Sequence, residues 1–438
     1  MSLIGTLERY FEFERLGTNW RTEILAGCTT FVTMAYIIFV NPSILQETGM
    51  PFAAVVAATC FSAAVGSILM GGFARYPIAL APGMGLNAYF TYTVCKGMGI
   101  PWQIALGAVF LSGIAFLILT FSGVRQLIVA AIPRELYAAV AAGIGLFIAF
   151  IGLRNAGLIV ANPATLVSMG DLRAPSTVLS LFGLVFTSAL LARGVQAAML
   201  IGVLGTSLVG AAVGLVQWNP HFYSLSDITA TAFQLDIPGA LRIGLLEIVF
   251  VFLFVDLFDN VGTLVAVGTK ARLFDATTNQ IPRMQRILLA DAAATVTGSL
   301  AGTSTVVSYI ESAAGVVAGG RSGVTSLITG LLFLAALFVA PLIGAIPAAA
   351  TAPALVIVGS LMASHAAEIK WDDAAVGIPA FLTMLLIPLT FSIANGLAFG
   401  FTAFVLIRMI SGRARELSWM TYLLALLFLA RFAYLGKG

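Results

Sequence analysis

The chain has 438 residues, 60% hydrophobic and 9% charged, with mean hydropathy +1.03 and a formal net charge of +3. Soluble domains carry about 25% charged residues, so this composition excludes an ordinary soluble enzyme or binding module and points to a polytopic helical protein whose surroundings are the lipid bilayer. The basic residues are scattered between apolar runs rather than gathered in a patch, which argues against nucleic acid as a partner.

The opening segment, MSLIGTLERYFEFERLGTNWRTEI, carries Glu8, Glu12, Glu14 and Arg15, which interrupt any signal-peptide core. It reads as an interfacial amphipathic helix with Leu3, Leu7, Tyr10, Phe11 and Phe13 against lipid. Spans follow near 24–40, 51–72, 78–95, 101–121, 135–153, 175–192, 196–217, 243–268, 286–301, 303–320, 322–343, 346–364, 375–391 and 394–411; a further apolar piece at 418–435 is either a fifteenth span or an interfacial helix, and an even number of spans favours the latter. Cys28, Cys60 and Cys95 lie in or beside apolar runs and read as small core residues; His221 and His365 fall in separate polar connections. No metal or cofactor is expected.

With the N-terminus inside, alternate loops hold Arg75; Arg125 and Arg134; Arg193; Lys270, Arg272, Arg283 and Arg286; Arg321; Lys370; and Arg408, Arg413 and Arg415, against Lys96, Arg154, Arg173 and Arg242 on the other side. That asymmetry places the basic loops, and the N-terminus, in the cytoplasm of a cell (inner or plasma) membrane protein.

The two halves echo each other. Ala131-Ile132-Pro133 recurs 214 positions later as Ala345-Ile346-Pro347, and the Gly-rich PGMGLNAYFTY from Pro82 has a polar counterpart, GTSTVVSYIESAAG, from Gly302. An offset of half the chain with seven spans per half implies an inverted repeat, the architecture of many secondary transporters. Gly83, Gly85 and Asn87, like Thr303, Ser304, Thr305 and Ser308, are poor lipid-facing residues, and Thr305–Ile310 has the propensity of a strand. Irregular backbone at membrane depth survives only where it is buried or lines a cavity.

The eighth span carries the strongest signal. Asp256, Asp259, Asn260 and Thr263 are spaced i, i+3, i+4, i+7 and share one helix face. A carboxylate at the centre of a membrane helix costs roughly 2.5–3.5 kcal/mol, so such acids mark function by default. Glu311, just past the second irregular segment, is a further acid in an apolar run.

The segments RTEILAGCTTFVTMAYIIFVNPSIL, APGMGLNAYF, VDLFDNVGTL, LLADAAATVTGSLAGTSTVVSYIESAAG and TAPALVIVGSLM resemble the AzgA-like purine permeases, a branch of the nucleobase–cation symporters related to the nucleobase–ascorbate transporters. The resemblance implies an all-α polytopic fold of fourteen transmembrane segments in two inverted sevens, with a short strand in spans 3 and 10. It implies a core domain of residues 1–122 and 240–343, and a gate domain of residues 123–239 and 344–438 through which homodimers form. It also implies import of hypoxanthine, guanine or adenine with protons, by an elevator-like displacement of core against gate, and no enzymatic activity. Carried over by position, substrate contact is expected from Asn87 and Gly85 of span 3, Asp256 or Asp259 of span 8, and Glu311 of span 10.

A carboxylate can accept two adjacent N–H groups of a purine, while backbone groups of span 10 (Ser304 to Ser308, through Thr305) and of span 3 (Gly83 to Asn87) read its other edge; Phe258, Tyr89 and Phe90 are the stacking candidates. Crowded acids do not all ionise, so Asp256 or Asp259 is expected to take the proton while Glu311 orients the base. Thr303, Ser304 and Asp256 supply enough oxygens for Na⁺ to stay open beside H⁺. A uracil or xanthine permease of the same fold is the near alternative. An anion carrier of this fold fits poorly with buried acids, and an Asp-rich intramembrane prenyltransferase would need a second Asp cluster and basic residues that the spans lack.

Overall fold

A computed structural model of the chain describes residues 3–122, 133–215, 224–242, 246–270, 281–343 and 346–435. Some helical side chains lie outside that description, Phe258 and Asp259 among them. So do Ala131, Ile132 and Ala345 of the repeated tripeptides and the loop residues Arg125 and Arg272.

The chain runs through α1 (Leu3–Tyr10), α2 (Trp20–Met34), α3 (Ile37–Leu45), α4 (Phe52–Leu69), β1 (Leu80–Pro82), α5 (Met84–Ala88), which continues as a wider-wound turn to Gly97, and α6 (Trp102–Phe121). There follow α7 (Arg134–Asn155), β2 (Ile159–Asn162), β3 (Leu166–Met169), α8 (Pro175–Ala192), α9 (Ala198–Ala212), α10 (Leu246–Lys270), α11 (Met284–Ala301) and β4 (Val306–Ser308). The rest comprises α12 (Ser312–Val317), α13 (Gly323–Ile343), α14 (Ala348–Ala363), α15 (Ala374–Leu389), α16 (Ile393–Ile410) and α17 (Trp419–Leu435). Among the described residues, seven helical stretches are long and apolar enough to cross a bilayer, and four shorter apolar helices accompany them. The chain is a multi-pass membrane protein.

The helices sort into two packed groups. α2–α6 pack with α10–α13, and α7–α9 with α14–α16. In the second group α7 and α14 meet at a seam of glycines: a Cβ on Gly359 would stand 2.4 Å from the carbonyl oxygen of Gly145, the close backbone approach that small residues permit in membranes. α17 docks through Phe428, buried between Phe250 and Phe254 of α10 and Phe401 of α16. An exposed hairpin, β2 with β3, joins α7 to α8 and was not foreseen from the sequence.

The N-terminal expectation needs correction. Ile4, Leu7 and Tyr10 are exposed, but Phe11 and Phe13 are buried against Val324 of α13 rather than facing lipid. The chain turns at Glu12 (φ +57°) and Gly17 (φ +60°), so no single apolar face runs through the segment. The Glu12 carboxylate pairs with Arg75 at 3.3 Å and Arg283 at 3.1 Å, fixing that turn on the first group.

The first group is built around a two-stranded antiparallel ladder of β1 and β4, with Leu80 opposite Ser308 and Pro82 opposite Val306. Gly83 N donates to Thr305 O (2.9 Å) and Tyr309 N to Ala79 O (3.0 Å) at its ends. A two-stranded ladder in lipid would leave polar edges unpaired. Here surrounding side chains complete them: Ser67 Oγ accepts from Leu80 N (3.0 Å), Ser312 Oγ accepts from Ala79 N (2.9 Å), and Thr295 Oγ1 donates to Val306 O (2.9 Å). Gly298 lets α11 lie against the ladder, since a Cβ there would come within 2.6 Å of Val306.

Candidate substrate site

Asn87 lies in α5, directly after β1, and is fully buried. Its Oδ1 accepts a hydrogen bond from Ser304 Oγ, which joins the two broken segments across the middle of the molecule. Asn87 Nδ2, Thr305 Oγ1 and Ser308 Oγ are also buried and make no hydrogen bond within the described residues. Each such group costs about 1–3 kcal/mol in a folded protein, and three flank one short ladder. A fourth neighbour, Asn41 of α3, donates to Thr59 Oγ1 (2.7 Å) and Thr303 Oγ1 (2.9 Å).

On α10, Asp256 and Asn260 lie one turn apart and are fully buried. Asn260 Nδ2 donates to Asp256 Oδ1 at 2.7 Å and to Asp291 Oδ2 of α11 at 2.6 Å, while its Oδ1 accepts from Ser308 N at 3.1 Å. One amide thus ties two carboxylates to the strand.

Glu311 precedes α12 and is half-buried; Tyr36 Oη donates to its Oε1 at 2.6 Å. Tyr36 stands between α2 and α3, where the helix tightens so that Ile38 N reaches Ala35 O and Phe39 N reaches Tyr36 O. Pro42, one turn further on inside α3, has no N–H to return to Ile38 O.

Asp256, Glu311, Asn87, Thr305 and Ser308 therefore all belong to the ladder and the helices packed on it, α10 lying against both β4 and α12. Gly85 does not open onto this polar region: a Cβ there would meet Ile144 Cγ2 at 2.5 Å, so its bareness admits α7. Tyr89 packs edge-on against Phe252 (5.1 Å between centroids) and Phe90 tilts against the same ring (6.3 Å). The side chains of Asp259 and Phe258 lie outside the described residues.

Asp291, Tyr36 and Asn41 were missed as site residues. Asp291 is an acid amid alanines, the same signal that marks Asp256, but the Thr- and Ser-containing LLADAAATVTGSLAG dilutes it. A membrane tyrosine such as Tyr36 looks like packing until its partner is known.

A family profile described as the permease family, Xan_ur_permease, matches residues 21–399. The guanine/hypoxanthine permease PbuG of Bacillus subtilis is 45% identical over 98% of this chain and 100% of its own length. The adenine permease AdeP of Escherichia coli is 44% identical over 98% and 97%. Among solved structures, the transmembrane domain of the cyanobacterial bicarbonate transporter BicA shares the fold, with a TM-score of 0.62 at 13% identity, covering 85% of this chain and 96% of that one. The chain belongs to the permease family, in the purine-permease branch of the nucleobase–ascorbate transporter superfamily, and is a transporter rather than an enzyme.

Proposed function

We propose that the protein imports purine nucleobases by proton symport, binding the base between β1–α5 and β4–α12. The observation that carries this reading is the set of buried polar atoms on Asn87, Thr305 and Ser308 that find no hydrogen-bond partner among the described residues, beside a carboxylate, Glu311, held by Tyr36. A purine is flat, neutral and edged with adjacent donors and acceptors. A carboxylate that takes two of its N–H groups supplies orientation, and the strand hydroxyls and the Asn87 amide take its ring nitrogens and exocyclic group. The names of PbuG and AdeP support the substrate class.

The proton is carried by the acids on α10 and α11. Two carboxylates bridged through one nitrogen repel each other when both are charged, so loading a proton on Asp256 or Asp291, with Asp259 a further acceptor, relieves that repulsion and lowers the charge of the site for crossing. The helices form fourteen spans in two inverted sevens, with α2–α6 and α10–α13 as a core that slides past a gate of α7–α9 and α14–α16. The packing preference of each group supports that division. Residues 1–122 and 240–343 make the core, 123–239 and 344–438 the gate, and dimers form through the gate. A cytoplasmic N-terminus agrees with the gathering of Arg75 and Arg283 on Glu12, while Lys96 and Arg154 share Glu47.

The test is uptake of radiolabelled hypoxanthine, guanine and adenine into proteoliposomes with and without an inward proton gradient. Gradient-driven accumulation of at least one base is expected. Uptake indifferent to the gradient would remove proton coupling, and competition by uracil or xanthine alone would move the substrate to the cousin branch.

A further inference from the structure

Asn260 joins three elements through one amide: Asp256 on its own helix, Asp291 on α11 and the Ser308 backbone on β4. We propose that Asn260 is the positioning residue that couples proton load to substrate hold, by linking the acid pair to the strand that carries Ser308 and Thr305. This rests on the proton-symport reading above.

The chemistry follows from what an amide can do. It does not titrate, its two N–H groups are each taken by a different carboxylate, and its oxygen is taken by Ser308 N. Hydrogen bonds to an ionised carboxylate are roughly twice as strong as neutral ones. While Asp256 and Asp291 are charged, the amide is held from both sides and keeps the Ser308 N–H in place. A proton on either carboxylate weakens one of those bonds and introduces an O–H donor, so the hold on β4 changes in the same event that halves the charge of the pair. No bond other than O–H forms or breaks: the proton arrives from one aqueous side and departs to the other.

The titratable groups around the bridge are few. Asp256 and, three residues on, Asp259 belong to α10; Asp291 comes from α11, Tyr309 and Glu311 from the β4–α12 connection, and Tyr89 from the broken helix. α6 has none, and α7 and α16 carry Arg134, Glu135, Tyr137, Arg154 and Arg408 only near their ends.

The experiment compares wild type, Asn260→Thr and Asn260→Asp in proteoliposomes by two readouts: exchange of labelled hypoxanthine at equal pH, and accumulation driven by a pH gradient. A threonine hydroxyl has one proton to donate and serves one acid, so accumulation relative to exchange is expected to fall about tenfold or more, the factor lost with about 1.4 kcal/mol of coupling. Asn260→Asp adds a third carboxylate, and the pH profile of exchange is expected to move to higher pH. Wild-type coupling and an unmoved profile in both variants would make Asn260 a packing residue and overturn the proposal. If neither variant inserts, proton uptake per hypoxanthine bound is measured on purified wild type and Asp291→Asn; a fall in the variant supports the bridge, and equal uptake overturns it. A wild-type protein that exchanges hypoxanthine without responding to the gradient overturns the symport reading itself, a result distinct from failure of the bridge.

Discussion

The two helical groups differ in where their most polar buried side chains find partners. In α7–α9 and α14–α16, Thr187, Thr206 and Thr383 each donate to the carbonyl four residues back in their own helix, at 2.7, 2.7 and 2.9 Å. Those hydroxyls are satisfied locally, and the helices meet through glycines. In α2–α6 and α10–α13 the buried amides and acids, with several hydroxyls, reach between elements: Asn41 to Thr303, Ser304 to Asn87, Asn260 to Asp291, Tyr36 to Glu311. Glu23 does the same at one end, accepting from Thr325 Oγ1 (2.6 Å) and from Arg321 and Ser322 N (2.9 and 3.1 Å). Locally closed hydroxyls make a smooth, interchangeable support. Polar links between elements make a region whose geometry depends on who is bonded to whom, which is what a ligand can read and change.

The sharpest way to break this contrast is to neutralise the acid of the first group. Glu311→Gln keeps the shape but loses the charge, and a charge-assisted bond of about 1.5–3 kcal/mol corresponds to roughly 10–150-fold in affinity. Uptake of labelled hypoxanthine is expected to fall to background with normal membrane insertion; retained uptake would remove Glu311 from the site. The boundary between the groups offers a second test. Thr93 Oγ1 donates to Phe391 O across it, so Thr93→Cys with Phe391→Cys, in a chain whose Cys28, Cys60 and Cys95 are replaced by serine, should cross-link. Oxidation is expected to stop transport and reduction to restore it; undiminished transport in the cross-linked protein would contradict sliding of one group on the other.

Smaller effects come from single neutral hydrogen bonds. Asn87→Ala and Ser308→Ala are each expected to weaken hypoxanthine binding by up to about tenfold, the worth of about 0.5–1.5 kcal/mol. A paired stability test follows. Thr303→Val leaves one of the two Asn41 amide N–H groups unpaired, the other staying on Thr59, and is expected to cost about 1–3 kcal/mol, against about 0.5 kcal/mol for Thr187→Val, which removes a donor and leaves no buried N–H unpaired; equal melting temperatures would erase the distinction between linked and self-satisfied hydroxyls. The smallest effect lies outside the membrane at Asp373. The Ala375 N–H, and then Arg413 at 2.6 Å, hold its carboxyl below the usual carboxylate range. Its stabilisation is therefore present above the unfolded value and lost as pH falls through the folded one. Asp373→Asn should flatten that acid limb slightly in a thermal melt, and an unchanged limb would mean the pair contributes nothing.

Much of this architecture can be read in the amino-acid order because the bilayer makes polarity expensive. Asp256, Glu311 and the broken segments at Gly83 and Thr305 stand out against apolar surroundings, and the strand propensity of Thr305–Ile310 resolves into β4 at Val306–Ser308. What cannot be read is partnership across distant sequence. Tyr36 and Glu311 are 275 residues apart, Asn41 and Thr303 262, and periodicity reports only which face of a helix is polar. Gly85 illustrates the same limit: a motif position is visible, but that its missing side chain makes room for Ile144 depends on the packing of α7. The burial of Phe11 and Phe13 likewise depends on a turn at Glu12 that composition does not announce.

The most direct measurement is equilibrium binding of labelled hypoxanthine to purified wild type, Glu311→Gln and Thr187→Val. Saturable binding to wild type and Thr187→Val, with binding to Glu311→Gln weakened roughly 10–150-fold, is the expected result. Binding to Glu311→Gln as tight as to wild type would contradict the placement of the base beside the paired strands.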